Sequence, residues 1–461
     1  MEINILMWGI VMIPATIMLC LLATSKLSIY RNYLFLIIFL QAFLYLNFCP
    51  TLVINSAGSE DMKWMYVWIQ LFCVVFFEIP LILIYLISKS RTRSCTSEYL
   101  PVTNVNNSRQ LIFSIVMLLI DILFVYVILR YGLIFTRIGS EAKANIFVKL
   151  SLSPLWLISR LIEKSIIFMV GILLLAWLAN NKSIINRTIT FISLLVTVVI
   201  FGVYYLINSR LTFALFLVFI FGIIIYQSEW RFLKKRMFIF LLIFLPFAMI
   251  YSIRVTSNIR SNFFKDNGVS MKNFIPWYSA ENQSDNTPFI KRMDGIDLMA
   301  RVSLNMSYYD IPLGKAWSNP LFMIFGIFVN KEKANDLKRN TITTAKSYLM
   351  ENFTDIKLPD YYSCMLTDAY GNFWILGLVF VAAFLAKLSA YIDKNLFRPR
   401  STISLILSVY LISIVLPFEQ EFISIITNVV QTLPVLFLVI ILNPLKIKVP
   451  YKDGGNYNVF G

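Results

Sequence analysis

The sequence predicts an all-α polytopic membrane protein of about eleven transmembrane helices, with one large loop between the eighth and the ninth. Three observations predict it. Hydrophobic residues make up 58% of the 461, and mean hydropathy is +0.73. Charged residues are 14%, against roughly 25% in soluble domains. The basic residues gather in short clusters between apolar runs, the pattern of positive-inside loops and not of a nucleic-acid surface, so nucleic-acid binding is excluded.

A crossing helix needs about 20 predominantly apolar residues. Such runs lie at 4–24, 33–54, 64–88, 110–130, 156–179, 188–207, 210–227, 235–252, 369–390, 401–417 and 421–443. The first begins Met-Glu-Ile-Asn with no basic segment ahead of its apolar core, so it reads as a retained span and not as a cleaved signal peptide. The chain therefore divides into spans one to eight (1–252), a large polar loop (253–368), spans nine to eleven (369–443) and a tail (444–461).

Orientation follows from charge. Clusters such as Lys26 and Arg31, Lys89 to Arg109, Arg231 to Arg236, Lys394 to Arg400 and Lys446 to Lys452 fall after every odd-numbered span. One orientation satisfies all of them, with the N-terminus and the large loop outside and the C-terminus inside. Residues 131–154 mix charged and apolar positions and read as an amphipathic piece lying at the interface. Within the loop, the apolar run 319–329 is too short to span and reads as re-entrant or interfacial. Lys331, Lys333, Lys338 and Arg339 flank it, where they meet anionic headgroups.

The loop carries the candidate chemistry. The chain contains no histidine, which removes the commonest general base and transition-metal ligand and leaves acid–base work to carboxylates. Five cysteines include no close pair, so neither a disulfide framework nor a metal site is expected, and no cofactor is called for. Arg210, Arg254, Arg260, Arg292 and Arg301 all fall on the outer side. An arginine there serves lipid headgroups or a phosphorylated substrate, and its planar fork suits pyrophosphate. Asp297 and Arg301 have the spacing of a helical ion pair. Asp294, followed by glycine, is the first choice of base; Asp368 is the second catalytic candidate, with Glu281 and Glu419 in reserve. Glu78 and Asp121 sit inside spans and are expected to be paired structurally, with Arg160, Glu163 and Lys164 as available partners.

At Asn208-Ser-Arg210-Leu-Thr-Phe, Arg292-Met-Asp-Gly-Ile-Asp-Leu-Met and Asp368-Ala-Tyr-Gly-Asn-Phe-Trp-Ile-Leu-Gly377, the chain resembles the bacterial O-antigen polymerase family. The resemblance implies a metal-independent, membrane-embedded glycosyltransferase of GT-C type in the bacterial inner membrane, with the N-terminus and large loop periplasmic and the C-terminus cytoplasmic. It would join undecaprenyl-pyrophosphate-linked oligosaccharide repeat units, one as donor and one as acceptor, with membrane lipid and a chain-length regulator protein as further partners. Arg210, Arg254, Arg260, Arg292, Arg301, Tyr370 and Asn372 would bind the substrate and its pyrophosphate, and Asp294 and Asp368 would be catalytic. The family's Pro-Arg and Lys-Pro signature is replaced by Phe-Gly-Ile-Phe-Val-Asn-Lys331-Glu-Lys333, so no role carries over to those lysines. A lipid-linked oligosaccharide flippase or other transporter is the main alternative class. The related O-antigen ligases are expected to use a loop histidine, which this chain lacks.

Overall fold

The computed structural model describes residues 2–24, 26–27, 31–56, 58–90, 104–131, 154–179, 183–208, 210–227, 294–305, 312–314, 317, 349–350, 352–354, 364–397, 399, 401–416 and 422–446. Its helices, in chain order, are α1 (Glu2–Ala23), α2 (Tyr33–Val53), α3 (Glu60–Ser90), α4 (Asn107–Tyr131), α5 (Pro154–Ala179), α6 (Ile184–Asn208) and α7 (Arg210–Gln227). The short α8 (Asp297–Asn305) and α9 (Met365–Phe373) follow, then α10 (Ile375–Phe397), α11 (Thr402–Val415) and α12 (Phe422–Ile441). The protein is an all-α, multi-pass membrane protein. Among the described residues, seven helices are long and apolar enough to cross a bilayer, and Thr212–Ile224, Thr402–Val415 and Ile425–Ile441 are shorter apolar helices. Among the described residues, the one pairing of extended chain is two residues long, Asn104–Val105 antiparallel to Leu445–Lys446. The expected span at 235–252, the interfacial piece at 131–154 and the apolar run at 319–329 lie almost wholly outside the described residues.

The chain forms two compact units: residues 1–96, 261–393 and 412–433, and residues 97–260, 394–411 and 434–461. In the second unit, α4 and α6 pack along a polar seam. Gln110 donates to Thr190 Oγ1 at 2.8 Å, Ser114 and Thr190 share a bond of 3.0 Å, and Thr197 donates to Asp121 Oδ2 at 2.7 Å. Small hydroxyl residues let two helices approach closely inside lipid while satisfying each other. The expected ionic partner for Asp121 is thus replaced by a hydroxyl on α6. Gly171 on α5 lets Val409, Phe219 and Ile223 close over it, since a methyl there would meet them at 2.6 to 2.9 Å.

In the first unit, α1, α2 and α3 pack together, and α3 begins at Glu60, earlier than the apolar run alone indicates. The Ser59 hydroxyl accepts the Met62 N–H at 3.3 Å, and Glu60 and Asp61 complement the positive end of the helix. Both α2 and α3 carry a π-helical turn, at Leu44–Phe48 and Val74–Glu78. Glu78 accepts from Asn47 Nδ2 at 2.6 Å, so its partner is an amide on α2 and not a charged group on α5. Trp64 and Trp68 stand 48% and 52% exposed near the start of α3, the belt that tryptophan forms at headgroup depth.

The expected span at 369–390 is instead two helices. Trp374 has φ +55°, outside the region open to most side chains, and ends α9 before α10 starts. Glycine at 377 permits this break, because a methyl there would collide with the Ala369 carbonyl. Gly371 does the same for the side chain of Leu349.

Candidate functional site

At the Trp64 end of α3, a buried aspartate sits where a turn from the large loop enters the helix bundle. The turn at Asp294–Ile296 is pinned to α2 by a backbone bond: Gly295 N–H donates to the Tyr45 carbonyl at 2.9 Å. Tyr45 lies within the π turn of α2, where the regular ladder of carbonyl acceptors is interrupted. A Cβ at 295 would stand 2.9 Å from that same oxygen, so the glycine after Asp294 allows backbone to meet backbone.

Asp294 is 4% exposed. Its Oδ1 accepts the N–H groups of Ile296 and Asp297, both at 3.2 Å, and so secures the start of α8. Its Oδ2 lies 2.8 Å from the Tyr66 hydroxyl, which also lies 2.6 Å from Asp297 Oδ1. One hydroxyl hydrogen thus serves two carboxylates, and the arrangement is fully satisfied when the acid pair holds one further proton. Burial, followed by the negative charge of Asp297, pushes Asp294 up to about 7, against the opposing pull of its hydrogen bonds from Tyr66, Ile296 and Asp297. Arg301 lies one turn along α8, with Nε 3.2 Å from each Asp297 oxygen. Its side chain is 41% exposed and that of Asp297 is 13%, so charge is graded from the buried Asp294 outward to the guanidinium.

Helix α9 closes the other side. Tyr370 and Ser303 share a hydroxyl bond of 2.8 Å, and the Cys364 thiol stands 4.0 Å from the Gly295 carbonyl. Asp368, 1% exposed, accepts from the Trp317 indole N–H and from Asn372 Nδ2, the latter at 3.2 Å. Trp317 also meets Phe373 edge to face, with centroids 5.1 Å apart. Leu298 and Val302 of α8 join Leu349 and Met350 in a small apolar core against which Trp374 packs.

Asp294 and Arg301 are brought to one site, and Asp297 joins them as an acid of equal standing. Asp368, Tyr370 and Asn372 adjoin the site but are buried: Tyr370 ties α9 to Ser303 of α8, Asn372 bonds to Asp368 within α9, and Asp368 accepts from Trp317. Arg210 opens α7 in the second unit; its side chain, like Arg254, Arg260, Arg292, Glu281 and Glu419, lies outside the described residues. Among the described residues no cluster of histidine, cysteine, aspartate and glutamate has the makings of a metal site. Sequence reasoning missed Tyr66, whose signal was its place between Trp64 and Trp68 at the start of a span. Ser303 and Trp317 carried no signal.

No family model, curated protein or solved structure matches the chain.

Proposed function

We propose that the protein polymerises undecaprenyl-pyrophosphate-linked oligosaccharide repeat units into a surface polysaccharide at the periplasmic face of the bacterial inner membrane. Its N-terminus and large loop would be periplasmic and its C-terminus cytoplasmic, with eleven spans in a GT-C-like arrangement. The observation that supports this reading is the packing of α8 against α9, helices that carry parts of two of the three family-like stretches, with Ser303 bonded to Tyr370 and Cys364 beside Gly295, in the same unit as the exposed Trp64 and Trp68. A lipid pyrophosphate is presented at headgroup depth.

In this reaction the acceptor hydroxyl oxygen bonds to the donor's anomeric carbon, whose bond to the pyrophosphate oxygen breaks with its electron pair. The hydroxyl proton passes to the Asp294–Tyr66–Asp297 unit, reached through the more exposed Asp297, and the burial that raises Asp294 to about 7 suits that task. Arg301 stabilises the negative charge growing on the leaving group. Purified protein supplied with lipid-linked repeat units alone should yield a ladder of longer glycans. Absence of any extension, with the protein folded and the lipid bound, sinks the proposal.

A second reading, lipid-linked oligosaccharide transport, is favoured by Glu78 and Asp121, acids buried within spans as in transporters that couple to ions. It predicts translocation of the lipid in vesicles with no change in glycan length.

A further inference from the structure

We propose that Glu78, Asn47 and Gln70 form a buried binding site for a monovalent metal cation of the sodium class. The inference is independent of the glycan chemistry. All three residues are fully buried, and Thr51 beside them is 4% exposed. They form one hydrogen-bonded cluster between α2 and α3. Asn47 Nδ2 donates to Glu78 Oε1, Thr51 Oγ1 donates to the Asn47 carbonyl at 2.7 Å, and Gln70 Nε2 donates to that carbonyl at 3.3 Å and to Thr51 Oγ1 at 3.1 Å.

These bonds fix which way each amide faces. The Thr51 hydroxyl gives its hydrogen to the Asn47 carbonyl, so it accepts from Gln70, and the Gln70 nitrogen must face it. A carboxylate at 78 likewise requires the Asn47 nitrogen. Each amide oxygen is thereby turned away from the bonds already made. Glu78 Oε2, Asn47 Oδ1 and Gln70 Oε1 are all buried acceptors without a hydrogen-bond donor among the described residues. Three orphaned oxygens in one cluster are unusual, because nearly all buried polar atoms are satisfied. Their surplus is of acceptors only, and no lysine or arginine among the described residues pairs with the carboxylate. An all-oxygen set bearing one negative charge matches a hard cation of one positive charge.

The helices depart from regular geometry at this place. The π turns of α2 and α3 end at or beside Asn47 and Glu78, and π turns gather at functional positions because they re-aim side chains and release backbone acceptors. Tyr45, two residues before Asn47 in the same turn, gives its carbonyl to Gly295, so occupancy at Glu78 is coupled through one turn of helix to the Asp294 turn. Other titratable groups near the cluster are Cys73 on α3, which interacts electrostatically with Glu78, and Cys364 beyond it. The buried residues of α1, Met7, Ile10, Val11 and Met18, bring no titratable group.

The full-length protein in detergent is compared in sodium chloride and in N-methylglucamine chloride at equal ionic strength. Sodium should raise the unfolding temperature saturably by a few degrees, and radioactive sodium should bind at one ion per chain. Glu78→Gln, which keeps the shape and removes the charge, should abolish both responses, while Arg301→Ala should keep both even if it stops glycan extension. Should Glu78→Gln fail to fold, Gln70→Ala must weaken sodium binding at least tenfold. Equal unfolding temperatures in the two salts with no bound sodium, or a sodium response unchanged in Glu78→Gln, overturns the site; the former result would mean that Glu78 holds a proton in the ion's place.

Discussion

The two ends of α3 each bury a tyrosine against an aspartate, yet only one of them has the makings of a site. At the far end, Tyr85 donates to Asp393 Oδ2 at 2.7 Å, and Asp393 also accepts the N–H groups of Leu34 and Phe35 at 3.1 and 3.4 Å. At the near end, some 19 residues and about 28 Å earlier along the helix, Tyr66 faces Asp294, which accepts the N–H groups of Ile296 and Asp297. Both aspartates thus cap a helix start and take a tyrosine hydroxyl from α3. The difference lies in what surrounds them. Among the described residues no second acid shares Tyr85 with Asp393; Asn32 donates to Tyr85, and Lys89 donates to Asn32. Asp294 shares its tyrosine with a second acid, and that acid leads to an arginine open to solvent. Burial of a carboxylate marks structure; an unclosed proton count beside an exposed cation marks chemistry.

Substitution should separate the two ends. The largest effect is expected from Asp393→Ala, which strands the Tyr85 hydroxyl and the first N–H groups of α2 and should cost about 3 to 5 kcal/mol of stability, read as thermal unfolding in detergent. A cost under about 1 kcal/mol would show that this end is not the structural clamp. Next, Arg301→Lys should leave unfolding nearly unchanged but slow glycan extension about a hundredfold, or roughly 3 kcal/mol, because an ammonium cannot hold two phosphate oxygens as a fork does. Normal extension by the lysine variant would mean that Arg301 contacts only lipid.

The pH response sharpens the same contrast. As the base, Asp294 must be ionised, so extension should rise with pH through about 7. Asp297→Asn removes the neighbouring charge and should move that rise to lower pH, whereas Tyr66→Phe removes a hydrogen bond to the ionised form and should move it higher. Stability runs the other way. The folded group binds its proton more tightly than the unfolded group, near 4, so its contribution is full at low pH and is lost as pH rises from about 4 to about 7. A rate profile flat across this window rules out the acid pair as proton acceptor. The smallest effect is expected for the stability of Asp297→Asn: its bond to a 41% exposed Arg301 should be worth less than about 1 kcal/mol.

The membrane fold was legible because lipid imposes long apolar runs, and the helices at 2–23, 33–53 and 107–131 lie where such runs predict. The Asp297–Arg301 pair was legible too, since its spacing is local. Partners distant in the chain were not. Nothing in the sequence joins Tyr66 to Asp294, 228 residues away, or Trp317 to Asp368. The break at Trp374 was equally hidden, because the predominantly apolar run 369–390 continues across it and the break shows in a single backbone angle.

That angle separates two mechanical duties. A rod anchored in lipid tilts when bilayer thickness changes, and an unbroken helix would carry the tilt into whatever it bears at its end. Here the hydrogen-bond ladder stops at Trp374, whose N–H still closes on Tyr370 while Gly377 N–H turns back to the Trp374 carbonyl. A tilt of α10 is therefore expected to stop at this break, while the Tyr370–Ser303 bond ties α9 to α8, so that bilayer thickness should act on α10 more than on the Asp294 turn.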